Sequence, residues 1–211
     1  MNTRLKHIKQ KIVNRFKTNY IRNFTDAQKY TSNLGLTIPK FNYDPEFELS
    51  DKDKKEIRGF FYHYFYERMS FNLEDLAFKC MRRSNEVKSL LKEVFNIDAV
   101  LTNGSVYQDY MNLFDEPKSK IEKRLHQECF ETIDSHTWLT LPNYDVIDIT
   151  IMPTVWVQYD RRSETEDNFK GLLWTNLQID HKPFLYKPVF LGFEYFEKVK
   201  IKPKIHQFVV N

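Results

Sequence analysis

The sequence predicts an α+β protein in which helices come first and strands follow. Up to about residue 95, apolar residues recur at three- and four-residue steps, the spacing of amphipathic helices. From about residue 99 onward, apolar and polar residues alternate in short runs, as they do in strands. This order is typical of a helical N-terminal half packed on an antiparallel sheet, and 211 residues suffice for one such domain.

The first predicted helix covers residues 4 to about 32 and has a basic face, formed by Lys6, Lys9, Lys11, Arg15 and Lys17. A basic amphipathic helix can bind an acidic partner, nucleic acid or a membrane surface. A peripheral helix that docks by its apolar stripe shows the same pattern, and we favour this second interpretation. Residues 33–50 contain glycine and two prolines and are predicted to be a connector. Residues 1–50 thus precede a main domain at residues 51–211.

Two further helices are predicted before the strands begin. One runs from Asp51 to about Met69 and can be capped by Ser50 or Asp51. The other runs from Leu73 to Phe95 as one continuous pattern. Their boundaries are marked by residues that favour helix ends, namely Asn72 at the start and Asn96 at the end of the later helix.

The strand pattern begins at residues 99–107, where Gly104 indicates a bulge or a close backbone approach. Residues 136–152 alternate around the turn sequence Pro-Asn-Tyr-Asp, which predicts a hairpin, and residues 149–159 are predicted to extend its second strand or to start a third. The intervening residues 108–135 form a charged insertion with a predicted helix at 118–130. Further strands are predicted at 172–179 and 189–199.

Composition and charge narrow the classes of function. The formal net charge is only +3, so the total charge indicates neither a nucleic-acid nor a membrane partner. No stretch approaches the roughly 18 apolar residues of a membrane span, and the N-terminal segment lacks the apolar core of a secretory signal. Two cysteines are too few for a disulfide framework and lack zinc-ligand spacing. We therefore expect reduced thiols in a cytoplasmic protein without metal or cofactor.

One constellation could carry chemistry: Cys80, His136 and Asp148, in this order. The predicted hairpin would let the Asp148 carboxylate hold the His136 imidazole by its Nδ1–H and orient it as a general base. A thiol becomes a nucleophile when an adjacent histidine or a helix N-terminus lowers its pKa. Taken singly, these residues could instead be a structural thiol, an ordinary histidine and a turn-capping aspartate.

Three segments around these residues carry a family resemblance. The run Cys80-Met-Arg-Arg-Ser-Asn-Glu-Val-Lys-Ser-Leu-Leu, followed by a strand with a late glycine, resembles the nucleophile segment of the transglutaminase-like (papain-like) superfamily of cysteine proteases and acyltransferases. There a cysteine opens a helix that ends in two leucines. His136-Thr-Trp and Val-Ile-Asp148-Ile-Thr are similar to its histidine and aspartate strands. The local similarity is strongest to leader peptidases of lasso-peptide maturation, and it covers roughly residues 78–150.

The resemblance implies a papain-like core in a catalytic domain at residues 51–211. Cys80 would be the nucleophile, His136 the general base and then acid, and Asp148 the orienting carboxylate. The implied reaction is acyl transfer at an amide or isopeptide bond of a peptide or protein substrate, by a peptidase, a deamidase or a transglutaminase-like enzyme. The alternative is a catalytically inactive fold of this kind that serves as a protein-binding module. Asn72 and Gln108 are candidate oxyanion donors, and Trp138 is expected to line the core beneath the histidine.

Cys129 is the other candidate nucleophile. It lies near the end of the predicted helix at 118–130, and a thiol at a helix C-terminus faces the negative end of the helix dipole, which raises its pKa. The segment after Cys80 instead has an apolar stripe that can dock a helix on a sheet, formed by Val87, Leu90, Leu91 and Val94. We therefore expect Cys80 to be the nucleophile.

Overall fold

The structure, a computed structural model, describes residues 19–108, 111–126, 133–159, 161, 164–175 and 184–199. The helices are α1 (19–33), α2 (Asp51–Tyr62), α3 (Leu73–Leu76), α4 (Cys80–Phe95), α5 (Lys118–His126), α6 (Ile151–Gln158) and α7 (Glu194–Lys198). The strands are β1 (Val100–Gln108), β2 (Met111–Phe114), β3 (His136–Thr140), β4 (Val146–Asp148), β5 (Leu173–Thr175) and β6 (Phe184–Leu191). The predicted α+β class is confirmed.

All six strands belong to one antiparallel sheet organised around β1. The sheet has the order β2-β1-β3-β4-β5, and β6 also pairs with β1. Residues 102–104 of β1 pair with both β3 and β6, while residues 106–108 pair with both β2 and β6. Since a strand has only two edges, β2 and β3 lie end to end along one edge of β1 and β6 lies along the other.

Helices cover both faces of this sheet. On one face, Trp138, Val146 and Tyr186 pack with residues of α1 and α6. On the other face, residues of β1, β3 and β4 pack with α2 and α4, in a cluster that includes Leu101, Leu139, Ile147, Ile57, Phe61, Val87 and Leu91. Neighbouring strand residues such as Trp138 and Leu139 therefore enter different layers, as period-two alternation requires.

The described part of the first predicted helix is an integral element of the core. Tyr20 and Phe24 of α1 are buried in the same apolar cluster as Trp138. The Trp138 indole N–H donates to the Tyr20 hydroxyl over 2.8 Å. Of the predicted apolar stripe only Tyr20 lies in the described part, where it is buried, whereas the basic residues between 4 and 17 lie outside the described part.

Three predicted helix boundaries are confirmed by their caps. Ser50 and Asn72 each accept a backbone N–H from three residues ahead, in capping boxes completed by Asp53 and Asp75. Asn96 ends α4 in the left-handed conformation, with φ of 53°. The second predicted helix continues beyond α2 through a π-helical turn at His63–Arg68.

The prediction of one helix from Leu73 to Phe95 is wrong, because the chain breaks between α3 and α4. Ala77 is extended, with ψ of 139°, and Phe78 adopts a positive φ of 58°. The backbone N–H of Phe78 donates to the Thr154 hydroxyl over 3.1 Å instead of bonding within a helix. The apolar spacing of the sequence continues across the break as in a helix, but the hydrogen bond from Phe78 to Thr154 of α6 holds the backbone in another conformation.

The predicted strand at residues 149–159 is also wrong, since α6 occupies residues 151–158. The segment is apolar on nearly all sides and mostly buried, so it lacks the period that would reveal a helix. Pro153 lies in the first turn, where its missing N–H costs no helical hydrogen bond.

The C-terminal and inserted segments differ from prediction in part. Of the predicted strand at 189–199, the first residues end β6, Gly192 turns the chain with φ of 87°, and α7 follows. The predicted strand at 172–179 is observed as β5, and its remainder, residues 176–179, lies outside the described part. The predicted helix at 118–130 is observed as α5 up to His126. The insertion at 108–135 also supplies β2, which extends the central sheet.

Candidate active site

Cys80 is the first residue of α4, as the family resemblance implies. The Lys79 side chain does not cap this helix, so the first backbone N–H groups of α4 are not satisfied by a capping side chain. The N-terminal end of the helix dipole favours an anion at this position, whether a thiolate or the oxyanion of a reaction intermediate. The Cys80 side chain is half-buried. The break at Phe78 therefore creates the helix end at which this thiol lies.

His136 and Asp148 meet at the ends of two paired strands. His136 opens β3 and Asp148 closes β4, and the predicted hairpin is confirmed by the pairs Leu139↔Ile147 and Thr140↔Val146. The His136 Nε2 atom lies 2.6 Å from Asp148 Oδ2, and both side chains are fully buried. The prediction that the carboxylate would hold Nδ1 is wrong, because the ring presents Nε2 to it.

The second imidazole nitrogen is left for the thiol. His136 Nδ1 is buried and has no hydrogen-bond partner with good geometry among the residues that the structure describes. Cys80 and His136 nevertheless act on each other's pKa through charge and hydrogen bonding. Nδ1 is therefore the imidazole nitrogen that Asp148 does not engage.

Both oxygens of the Asp148 carboxylate accept hydrogen bonds, and each oxygen has a different set of donors. Oδ1 accepts the backbone N–H groups of Thr150 and Ile151, over 2.8 and 3.1 Å, and the Thr150 hydroxyl. Oδ2 faces His136 and also accepts the Tyr186 hydroxyl over 3.0 Å. One oxygen thus holds the start of α6, and the other orients the imidazole.

The three ionisable groups shift one another's pKa in the directions that a charged network requires. Burial raises the pKa of the Cys80 thiol, but the His136 charge and hydrogen bond and the Thr137 backbone outweigh it, so the net pKa is lowered. Burial lowers the pKa of His136, but Asp148 and Cys80 outweigh it and the net pKa is raised. Burial raises the pKa of Asp148, yet His136 and the other donors lower it overall. The arrangement favours thiolate, imidazolium and carboxylate together.

Two aromatic rings pack beside the imidazole, and a glycine pairs with His136 in the sheet. Phe114, the last residue of β2, stacks against His136 with ring centroids 4.8 Å apart. Trp138 is fully buried with its ring centroid 6.3 Å from that of His136, which confirms its predicted position in the core beside the histidine. Gly104 pairs with His136, and a side-chain Cβ at this position would lie 2.1 Å from the Lys187 carbonyl oxygen. Only glycine fits there.

Of the two candidate oxyanion residues, one caps a helix and the other lies far from His136. The Asn72 side chain caps α3 by accepting the Asp75 backbone N–H. Gln108 is four residues along β1 from Gly104, which corresponds to about 13 Å from the position opposite His136. No side chain among the described residues caps the first backbone N–H groups of α4, which begin at Cys80 itself. Cys129 lies outside the described residues.

Sequence reasoning did not identify Tyr186, Thr150 or Phe114 as site residues. Thr150 follows Asp148 in an Asp-x-Thr pattern at a helix start, which is a local signal for side-chain-to-backbone hydrogen bonds. Tyr186 and Phe114 have no such signal, because sheet pairing brings them from strands distant in sequence.

Two cavities lie away from these residues. One, of about 310 Å³, is lined by residues of the connector and of β1, among them Phe41, Lys88 and Pro142. The other, of about 360 Å³, is lined by Asp26, Asp115, Lys118 and Lys187 among others. Within the described ranges, no three His, Cys, Asp or Glu side chains lie close enough together to hold a metal ion. No described helix is both long and apolar enough to cross a membrane.

Comparison of this chain with protein-family models, with curated proteins and with solved structures found no match. The geometry of Cys80, His136 and Asp148 and the local resemblance of residues 78–150 are therefore the two grounds for its function.

Proposed function

We propose that this protein is a cysteine-dependent acyl-transfer enzyme with a transglutaminase-like, papain-like core, acting on an amide or isopeptide bond of a peptide or protein. The observation that carries the proposal is the helix start at Cys80 combined with the buried His136–Asp148 pair. A buried structural thiol would have its pKa raised, whereas the surroundings of Cys80 lower it.

The reaction follows from the positions of the groups. The Cys80 thiolate attacks the carbonyl carbon of the amide, and the carbonyl oxygen becomes an oxyanion beside the free N–H groups at the start of α4. His136 donates a proton from Nδ1 to the departing nitrogen as the C–N bond breaks, which leaves a thioester on Cys80. The neutral imidazole then takes a proton from water or from an amine as that nucleophile attacks. The thioester breaks and the thiolate returns.

Asp148 has an orienting role in this cycle. Its Oδ2 accepts the Nε2–H of His136 over 2.6 Å, which fixes the ring so that Nδ1 faces away from the carboxylate. Its charge stabilises the imidazolium form and raises the pKa of His136. The remaining donors on Asp148 keep it ionised, so it stays a carboxylate while the proton moves at Nδ1.

A second candidate function is a binding module that keeps this fold without catalysis. The observation in its favour is that His136 and Asp148 have no exposed side-chain surface and that Phe114 stacks on the imidazole. A buried, fully oriented ion pair can also serve to fix strand register. The two candidates differ in what they require of Cys80, because only the enzyme needs an activated thiol.

Alkylation by iodoacetamide at neutral pH, followed by peptide mass mapping, separates the two candidates. We expect Cys80 to be labelled faster than free cysteine and to slow to the rate of an ordinary thiol in His136→Ala. An exposed histidine provides the matched control, since His63→Ala removes an imidazole that bonds only Glu67 on the surface. Labelling of Cys80 no faster than free cysteine, with no effect of His136→Ala, would favour the binding module.

A further inference from the structure

Building on the proposed function, we propose that Tyr186 is a positioning residue, which acts through Asp148 to set how tightly the imidazolium of His136 holds its proton. The Tyr186 hydroxyl donates to Asp148 Oδ2 over 3.0 Å, and His136 Nε2 lies 2.6 Å from the same oxygen. Two donors therefore share the oxygen that orients the general base.

The second oxygen of the Asp148 carboxylate, Oδ1, does not take part in the contact with His136. Oδ1 is occupied by the backbone N–H groups of Thr150 and Ile151 and by the Thr150 hydroxyl. Because these groups begin α6, the carboxylate cannot rotate to offer Oδ1 to the imidazole without breaking the helix start. Oδ2 is consequently the only oxygen of Asp148 that faces His136, and any change in its hydrogen bonding reaches the imidazole directly.

Tyr186 is fixed in this role by its packing. It is 2% exposed, pairs with Val106 in the sheet, and lies against Trp138 with ring centroids 5.0 Å apart. An ionised carboxylate only accepts hydrogen bonds, so the phenol must donate to it. Burial and the Asp148 charge raise the pKa of Tyr186 well above its ordinary value, which keeps the phenol protonated.

The titratable groups around this bond belong to five elements. The pKa of His136 on β3 is shifted by Asp148 on β4 and by Cys80 on α4. The pKa of Asp148 is shifted by His136 and by Tyr186 on β6. The pKa of Tyr186 is shifted by Tyr20 on α1. The Tyr186 hydroxyl is the only neutral donor in this set that bonds the oxygen facing the imidazole. When it is removed, Oδ2 becomes a stronger acceptor for the Nε2–H group, and the imidazolium becomes harder to deprotonate.

The test is the pH dependence of the His136 charge and of Cys80 reactivity in the whole protein. We would follow the His136 ring by NMR and the Cys80 alkylation rate with iodoacetamide, in wild type, Tyr186→Phe and Tyr20→Phe. Tyr186→Phe should raise the midpoint for loss of the imidazolium proton by about half a pH unit, the size that one neutral hydrogen bond supports. The Cys80 alkylation rate should change at the pH where His136 loses this proton, and that pH should shift by the same amount.

Tyr20→Phe is the matched control. Tyr20 is a second buried tyrosine in the same cluster, but it bonds Thr140 and Trp138 and not Asp148. This variant should lower stability and leave the midpoint unchanged. Equal midpoints in wild type and Tyr186→Phe would overturn the proposal, and so would an equal shift in Tyr20→Phe, because the effect would then be one of packing.

A second substitution guards against a Tyr186→Phe variant that does not fold. Site-specific 3-fluorotyrosine at position 186 keeps the ring and the hydroxyl but makes the phenol a stronger donor, so the midpoint should fall rather than rise. No fall would overturn the proposal. If Cys80 of the wild type reacts as an ordinary thiol, the proposed function fails and this inference fails with it. If Cys80 is activated and Tyr186 has no effect, only this inference fails.

Discussion

The Ser84 hydroxyl donates to the Thr137 carbonyl oxygen over 2.9 Å, and both residues are buried. Ser84 lies one helical turn after Cys80, and Thr137 is next to His136. This hydrogen bond joins the helix that begins with the proposed nucleophile to the strand that begins with the proposed base. The relative position of the two groups is therefore held by a contact outside the ionisable network.

Replacing Ser84 with Ala should loosen this connection. We expect a loss of about 1 kcal/mol in the free energy of unfolding, because one buried hydrogen bond is removed and a carbonyl is left without its partner. Cys80 should also be alkylated more slowly. Urea unfolding and iodoacetamide labelling measure the two effects. Ser89→Ala is the control, since Ser89 is an exposed serine on the same helix whose hydroxyl donates to the Asn85 carbonyl within that helix. Equal behaviour of the two variants would contradict the prediction.

The two cysteines should differ sharply in their importance for activity. Cys80→Ser should abolish release of ammonia or amine from a protein substrate, and also transfer to an added amine, while the circular dichroism spectrum stays unchanged. Cys129→Ser should keep most of that activity. The physical reason is that α4 begins at Cys80 and presents its dipole to the thiol. Loss of activity in Cys129→Ser but not in Cys80→Ser would place the nucleophile on the insertion.

Asp148 should show separable structural and chemical roles. Asp148→Asn keeps an oxygen that can accept the N–H groups at the start of α6 but removes the charge that raises the pKa of His136. Asp148→Ala removes both. We expect both variants to lose most Cys80 activation, and Asp148→Ala to be less stable than Asp148→Asn by about 1 kcal/mol, the usual cost of a lost helix cap. Equal unfolding free energies for the two variants would argue against the capping role.

The stability of the protein should depend on pH through Cys80 and His136. The raised pKa of His136 stabilises the fold fully below its unfolded-state value of 6.5, and this contribution is lost as pH rises toward the folded-state pKa. The lowered pKa of Cys80 gives a contribution that is complete above its unfolded-state value of 9.0 and is lost as pH falls toward the folded-state pKa. Above pH 9.0 only the histidine contribution still changes, and it decreases.

Urea unfolding of wild type and of the double variant Cys80→Ala, His136→Gln would measure this dependence. The excess is the unfolding free energy of the wild type minus that of the double variant. In the range below pH 9.0 where the folded Cys80 thiol is ionised, this excess should be nearly constant, because the Cys80 contribution rises with pH while the His136 contribution falls. It should then decline as the pH increases above 9.0. An excess that rises up to pH 9.0 and stays level above it would mean that the pKa of His136 is not raised.

Position 78 should accept glycine with a higher stability than alanine. Its φ of 58° is disfavoured for a bulky side chain, and the residue is 57% exposed, so truncation removes little buried surface. Phe78→Gly should raise the free energy of unfolding by up to about 1 kcal/mol relative to Phe78→Ala, which keeps a Cβ in the left-handed region. Urea unfolding of the two variants compares them directly. A Gly variant no more stable than the Ala variant would show that the turn is unstrained.

Much of the fold could be predicted where a signal is local. Capping residues at Ser50, Asn72 and Asn96 mark helix boundaries, and alternation marks β1 and the hairpin. The break at Phe78 could not be predicted, because it depends on a hydrogen bond to Thr154, which the sequence does not place beside it. Helix α6 could not be told from a strand, because a helix buried on nearly all sides shows no amphipathic period.

For the candidate site, the sequence supplies the three central residues but not their surroundings. Order and hairpin geometry suffice to bring His136 and Asp148 together. The choice of Nε2 over Nδ1 depends on side-chain rotamers, and the Tyr186 contact depends on how β6 pairs with β1. Neither property is encoded within a short window of sequence, so neither could be predicted without the tertiary structure.

The position of β6 has a consequence for the order in which the protein is made. A ribosome synthesises Cys80, His136 and Asp148 before residues 184–191, although β6 pairs along most of β1 and supplies the phenol that bonds Asp148. A nascent chain that has reached only β5 has one edge of its central strand unpaired and lacks that phenol. The Tyr186 contact with Asp148 can therefore form only after every other described strand has been translated, so the proposed site is completed last.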